Sequence, residues 1–259
     1  MDSFLIDYLK SGKAWVLIGS GPSIEMGYPS WEKLAISAVE VAKVEALGGN
    51  LSKVDAALRC RDFPTVFDEV KTILGAPRLL QCLRDTLKPT RPGKIYELIA
   101  RWPVPVYLTT NYDDEIQNHL AESGEAYVTY SNSEDHFGHL IPELQGAIIK
   151  LHGDLRSEKG LVLTSSQYKE IEQGGDWSYW RTKMTSVFQM NRVVVIGHSL
   201  TDKNIKHVLE AAKKGAGVIQ PICWVAPNVP PHLVRECLEK YRIRVIPYED
   251  KDGEHRNLV

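Results

Sequence analysis

Asn111, Asp113 and His152 are the residues of this chain whose types and settings best suit chemistry. Each follows an apolar, β-like run by a few positions, in Thr109-Thr110-Asn111-Tyr112-Asp113 and Lys150-Leu151-His152-Gly153-Asp154. An asparagine at a strand end offers both a donor and an acceptor, enough to fix a sugar hydroxyl or a water. The aspartate two residues on can orient it or face a cationic centre; alternatively Asp113 or Asp114 caps the helix that follows. An imidazole beside a glycine, which permits close approach of a ligand, can act as a general base near neutral pH.

Two further motifs have the same placement. Gly19-Ser20-Gly21-Pro22-Ser23 follows Ala14–Ile18, and Gly197-His198-Ser199-Leu200-Thr201-Asp202 follows Arg192–Ile196. The glycines permit a tight turn with exposed amide N–H groups, and Ser23 is expected to cap the next helix, which together would seat a pyrophosphate. A plain strand-to-helix turn remains an equal reading, because Ile24 stands where the dinucleotide fingerprint needs a third small residue. Ser199 is suited to a phosphate or ribose and Asp202 to a helix cap. No second glycine follows Ser199 as a nucleophile elbow requires, which disfavours hydrolysis through that serine. His136 and His139 lack a third ligand at metal spacing and are read as loop residues.

These groups need strands to present them. Ala14–Ile18, Val104–Leu108, Ala147–Ile149 and Arg192–Ile196 are short and β-branched without polar alternation, as are Pro221–Val225 and Arg244–Tyr248. That pattern marks strands buried on both faces. Helical spacing from Trp31 to Leu47 and from Asp202 to Lys214 alternates with them, predicting an α/β fold of Rossmann-like type, a doubly wound parallel sheet. Residues 48–102 break the alternation with helical pieces at Lys53–Arg59, Thr65–Leu74, Arg78–Leu87 and Lys94–Ala100, punctuated by Pro64, Pro77, Pro89 and Pro92. They read as a helical lobe inserted into a core of about 1–47 and 103–259, within a single domain. A second departure, 155–191, is read as a turn, a short strand Leu161–Thr164 and an aromatic-rich helix from about Asp176, with a cleft between sheet and lobe.

Composition narrows the classes. The chain has 259 residues, 31 Lys and Arg against 33 Asp and Glu, and a formal charge of −2, so neither nucleic-acid binding nor polybasic membrane docking is indicated. No membrane span or signal peptide is legible, and the chain is read as cytoplasmic. Cys60, Cys82, Cys223 and Cys237 form no C-x-x-C pair and are read as buried thiols. The polar run 249–257 leaves Leu258 and Val259 without evident partners, as expected if the chain is the N-terminal part of a longer protein.

In content and order, the Gly-x-Gly-x-Ser turn, the Thr-x-Asn-x-Asp strand end, the His-Gly and the later Gly-x-Ser resemble the catalytic core of the sirtuin (SIR2) superfamily. The resemblance spans roughly Ala14 to Tyr248. It implies NAD bound across the strand ends: Gly19, Ser20, Gly21 and Ser23 as the phosphate turn, Asn111 and Asp113 around the nicotinamide ribose, His152 as the histidine acting on that ribose, and Gly197 and Ser199 as a later nucleotide contact. Thr110 and Asp202 complete the expected contact set, Thr110 standing where deacylases carry glutamine.

Two departures refine this. No cysteine lies between Cys82 and Cys223, so the two C-x-x-C pairs of the deacylase zinc module are absent and no metal is expected. The deacylase Pro-Asp-Phe-Arg segment is replaced by Pro29-Ser30-Trp31-Glu32, a version similar to the bacterial SIR2-like branch that hydrolyses NAD in antiphage defence. The expectation is an NAD glycohydrolase with NAD as substrate, acting as a homo-oligomer with a partner domain or subunit. A deacylase or ADP-ribosyl transferase, and a non-catalytic NAD or ADP-ribose sensor, are the alternatives.

Overall fold

The computed structural model describes residues 3–45, 51–132, 144–173, 178–200, 202–215, 221–255 and 258. Seven strands, β1 (Ala14–Ile18), β2 (Val106–Thr109), β3 (Val128–Tyr130), β4 (Ala147–Lys150), β5 (Arg192–Ile196), β6 (Ile222–Pro227) and β7 (Ile243–Tyr248), form one sheet in the order β3-β4-β2-β1-β5-β6-β7. Every neighbouring pair is parallel. The order reverses between β1 and β5, whose register sets Ile18 against Ile196. In open parallel sheets ligands bind in the crevice outside the strand ends at such a switch point.

Side chains alternate between two buried faces along each strand, which explains the continuous apolar runs. Trp15, Leu17, Leu108, Ile149, Val193 and Val195 face a core closed by α9 (Ser165–Gln173), α10 (Ser178–Met190) and α11 (Lys203–Gly215) through Ile171, Trp180, Phe188 and Val208. Val16, Ile18, Tyr107, Ile148 and Val194 face the other core, closed by α1 (Ser3–Lys10), α7 (Lys94–Ile99) and α8 (Glu115–Glu122). Each fully buried aliphatic side chain contributes roughly 1.5–3 kcal/mol. A third cluster joins α3 (Trp31–Glu45), α4 (Ser52–Arg59), α5 (Phe63–Leu74) and α6 (Ala76–Thr86) around Phe67 and Leu83. Leu155, Leu161 and Leu163 pack into it, so the segment after β4 roofs the helical region.

Several expectations need correction. Leu161–Thr164 forms no strand: Val162 N–H donates once to the His152 carbonyl, and the Leu163 and Thr164 amides donate to Gln167 Oε1, leaving no ladder. Helices α1 and α9 and the exposed edge strand β3 were not expected. Cys60 is exposed rather than buried, because it ends α4 on its solvent side. Leu258 is buried against the α1 side of the sheet. His136, His139, Thr201 and Asp176 lie outside the described residues. No helix among the described residues is long and apolar enough to cross a membrane.

Candidate active site

The turns after β1 and β5 interlock. Gly19 N–H donates to the Ile196 carbonyl (2.9 Å) and Gly21 N–H to the Gly197 carbonyl (2.9 Å). A β-carbon on Gly19 would lie 2.5 Å from Gly197 O, and one on Gly197, whose φ is +63°, would lie 2.3 Å from Pro22 Cδ. Both positions therefore need glycine for backbone-on-backbone packing. The amides of Gly19 and Gly21, expected to be exposed for phosphate, are spent on this interlock. Ser20 and Ser199 stand exposed on its outer side.

Ser23 does not cap a helix; it lies inside the short helix α2 (Gly21–Glu25) and is buried. It belongs to a network beneath Asn111. Asn111 Nδ2 donates to Gly19 O (2.8 Å), Ser23 Oγ (3.1 Å) and Tyr96 Oη (3.1 Å), while its backbone N–H is held by Thr109 Oγ1 at 3.0 Å. Ser23 donates to Asp113 Oδ2 (2.8 Å), and Asp113 Oδ1 accepts the Glu115 amide (3.2 Å). Asp113 is thus an anchor under Asn111 and also serves the start of α8; Asp114 makes no side-chain cap. Burial pushes the Asp113 carboxyl above its ordinary range, against the opposing pull of Ser23, the Glu115 amide and Lys150. Thr110 is half-buried, its amide donating to the Ile18 carbonyl across to β1 (3.3 Å).

Lys150 closes β4 with a fully buried side chain whose ammonium donates to Tyr112 O (3.0 Å), Asp113 O (2.9 Å) and Asp114 Oδ1 (2.7 Å). All three donors are used, the condition under which a buried charge persists. Arg156 holds the outer side of Asp114 through both carboxylate oxygens (3.0 and 2.8 Å). The loop that carries Asn111 is therefore pinned from the neighbouring strand.

His152, 4% exposed, extends from the end of β4 toward a carboxylate delivered from β5, three strands away. Its Nε2 lies 3.6 Å from Asp202 Oδ2 and has no hydrogen-bond partner. Asp202 is held in place: Oδ1 accepts the Ile205 amide (3.0 Å) at the start of α11, and Oδ2 accepts the Tyr168 hydroxyl (2.8 Å) from α9. Burial depresses the His152 pKa and so keeps the imidazole neutral, while Asp202 opposes it. Burial works against ionisation of Asp202 too, but His152, the Ile205 amide and the Tyr168 hydroxyl together hold its carboxyl low. His198 accepts the Leu200 amide on Nδ1 (2.9 Å), and burial lowers its pKa to about 4, leaving a neutral ring. Leu200 takes a left-handed φ of +56° to make that contact.

The structure thus brings together Asn111, Ser23 and Asp113 in one cluster and His152 with Asp202 in another. Tyr96, Lys150, Tyr168 and His198 were not foreseen as site residues. Lys150 had a legible signal, a charge closing an otherwise buried strand, which demands partners. Tyr96 and Tyr168 had none: Tyr96 reads as an ordinary aromatic on a helix face, and the helix that carries Tyr168 was itself not expected. Among the described residues no three His, Cys, Asp or Glu side chains are grouped to hold a metal ion.

Residues 105–246 match the family model described as the SIR2-like domain. The chain is 27% identical over 208 residues to defence-associated sirtuin 2 of Bacillus subtilis, covering 79% of this chain and 20% of that protein. It is 25% identical over 205 residues to the NAD(+) hydrolase ThsA of Enterococcus faecium, covering 78% and 40% respectively. Against ThsA of Bacillus cereus (strain MSX-D12) identity is 22% over 217 residues, covering 82% and 43%. The chain spans less than half the length of these curated relatives. The matched segment runs from β2 into β7 and contains Asn111, Lys150, His152 and Asp202, and the chain belongs to the SIR2-like domain family.

Proposed function

We propose that this domain is an NAD+ glycohydrolase that releases nicotinamide and ADP-ribose, and that it serves as the NAD-depleting effector of a bacterial antiphage system. The observation that carries the chemistry is a buried, neutral His152 whose Nε2 is turned toward an anchored Asp202 at 3.6 Å, a histidine–carboxylate pair at the strand ends. Nicotinamide leaves NAD as a neutral molecule, so the reaction needs no general acid, only a stabilised ribose cation and an acceptor. Asn111 positions the ribose hydroxyl or attacking water, and His152 removes a proton from it. Asp202 then faces the imidazolium that forms, while Asp113 acts from beneath Asn111. The names of the relatives support the substrate and the defence setting. The reading includes a cytoplasmic, homo-oligomeric protein in which this domain works with further domains or a partner subunit.

Purified protein incubated with NAD is expected to release nicotinamide and ADP-ribose in equal amounts. NAD binding by calorimetry without nicotinamide release, in the full-length protein as well, would replace the hydrolase with a sensor.

Asp202→Asn gives a second expected result. Asparagine is as good a cap for α11, so the fold is retained. The base works unprotonated, and its activity is lost as pH falls through the His152 pKa. Asp202 favours the protonated form, so its neutralisation moves the acid limb of the kcat profile to lower pH. It also lowers the plateau by about tenfold or more, because the imidazolium loses its counter-charge. An acid limb that stays in place would remove Asp202 from this role.

A further inference from the structure

The network beneath Asn111 has only one consistent arrangement of protons when Asp113 is ionised. Gly19 O is solely an acceptor, so the atom facing it at 2.8 Å must be Nδ2, which fixes the direction of the Asn111 amide. Asp113 accepts the single proton of Ser23 on Oδ2 (2.8 Å). Ser23 Oγ lies 2.9 Å from Tyr96 Oη, and with its own proton committed it must accept there, making the tyrosine the donor. Tyr96 Oη in turn accepts from Asn111 Nδ2 at 3.1 Å. One Nδ2 proton goes to Gly19 O and the other is shared between Tyr96 Oη and Ser23 Oγ, each at 3.1 Å, while Tyr96 donates to Ser23 and Ser23 to Asp113.

Tyr96 is suited to this task. It comes from α7, is 1% exposed, and its ring stacks on His119 of α8 at a centroid distance of 5.6 Å. The ring is held by packing, which leaves the hydroxyl a fixed point against which the amide is oriented. By contrast Asn111 Oδ1 accepts no hydrogen bond from any described residue and is not among the occluded polar atoms.

We propose that Tyr96 is the positioning residue that, together with the Gly19 carbonyl, holds the Asn111 amide in one direction, so that Asn111 meets the substrate only as an acceptor, through Oδ1. It follows that Asn111 receives a proton-bearing group, a ribose hydroxyl or a water, and cannot donate to an ether or carbonyl oxygen. The catalytic consequence rests on the NAD-hydrolase reading; the orientation of the amide does not.

Tyr96→Phe removes one oxygen and keeps the ring. The experiment records hydrogen exchange of the Asn111 side-chain amide by NMR, assigned through its loss in Asn111→Ala, together with kcat and KM for NAD. In Tyr96→Phe the amide is expected to exchange about tenfold faster or more, and kcat to fall about 10- to 100-fold with KM within about twofold, since a misplaced group costs turnover more than binding. Ser23→Ala, which removes the other acceptor at 3.1 Å from Nδ2 and the acceptor of the Tyr96 proton, should accelerate exchange in the same direction. Unchanged exchange in Tyr96→Phe overturns the proposal whatever the turnover. Faster exchange with unchanged kcat overturns the catalytic part alone. Faster exchange where the wild type, the full-length protein included, releases no nicotinamide leaves the orientation supported and defeats the hydrolase reading.

Discussion

His152→Ala should lower NAD turnover by about 10²- to 10⁴-fold while the protein stays folded, which is the range a lost general base commands. The separation of the two effects is the informative part. A buried histidine is ordinarily costly to truncate, because a cavity remains and its hydrogen-bond partners are orphaned. Here Nε2 has no partner to orphan, and Asp202 keeps the Ile205 amide and the Tyr168 hydroxyl after the imidazole has gone. The loss of packing, including the edge-on contact with the Tyr168 ring at 5.7 Å, is therefore the main stability term and should stay near about 2 kcal/mol. The check is nicotinamide release beside thermal unfolding and NAD binding for both proteins. Turnover within threefold of wild type would remove His152 from the base role, and a collapse of binding and folding together would show the residue to be structural.

The sequence announced the strand ends because a parallel sheet buried on both faces must be built of unbroken apolar runs, and the first polar residues after each run must lie at its mouth. Asn111 and His152 each follow their strand by two residues, so their placement was legible. The direction of the Asn111 amide was not, because it depends on the Gly19 carbonyl across the sheet and on Tyr96, contributed by a helix before β2 whose own apolar pattern only announces burial. The Gly19 and Gly197 interlock was half-legible: glycine declares a tight turn, but not that the obstruction is a second turn 178 positions away in the chain. Asp202 was read as a helix cap and is one, yet the same carboxylate faces His152. Local sequence reveals the first role and only tertiary structure the second. The Leu161–Thr164 run failed as a strand for the converse reason, its leucines serving the core of the helical region instead of a ladder.

Lys150→Met is expected to destabilise the protein by about 3 kcal/mol and lower its Tm by roughly 6–12 °C. Replacing both members of a buried ion pair with apolar residues is often neutral, but this change removes only one side. The Tyr112 and Asp113 carbonyls lose the donor that satisfied them, at about 1–3 kcal/mol for each buried acceptor left without a partner. Asp114 contributes little to the loss, being 41% exposed and retained by Arg156. Methionine fills nearly the same volume, so a cavity is not the cause and the change in Tm reads the lost ammonium directly. Turnover should fall beyond what stability explains, since the freed loop begins one residue after Asn111. Lys150→Arg is no rescue, because a planar guanidinium cannot direct donors at three acceptors converging on one point. Calorimetric unfolding of wild type and Lys150→Met, with kcat measured well below both transitions, checks the claim. A methionine variant melting within about 2 °C of wild type would show that the loop is held by its own hydrogen bonds and that the buried charge is dispensable.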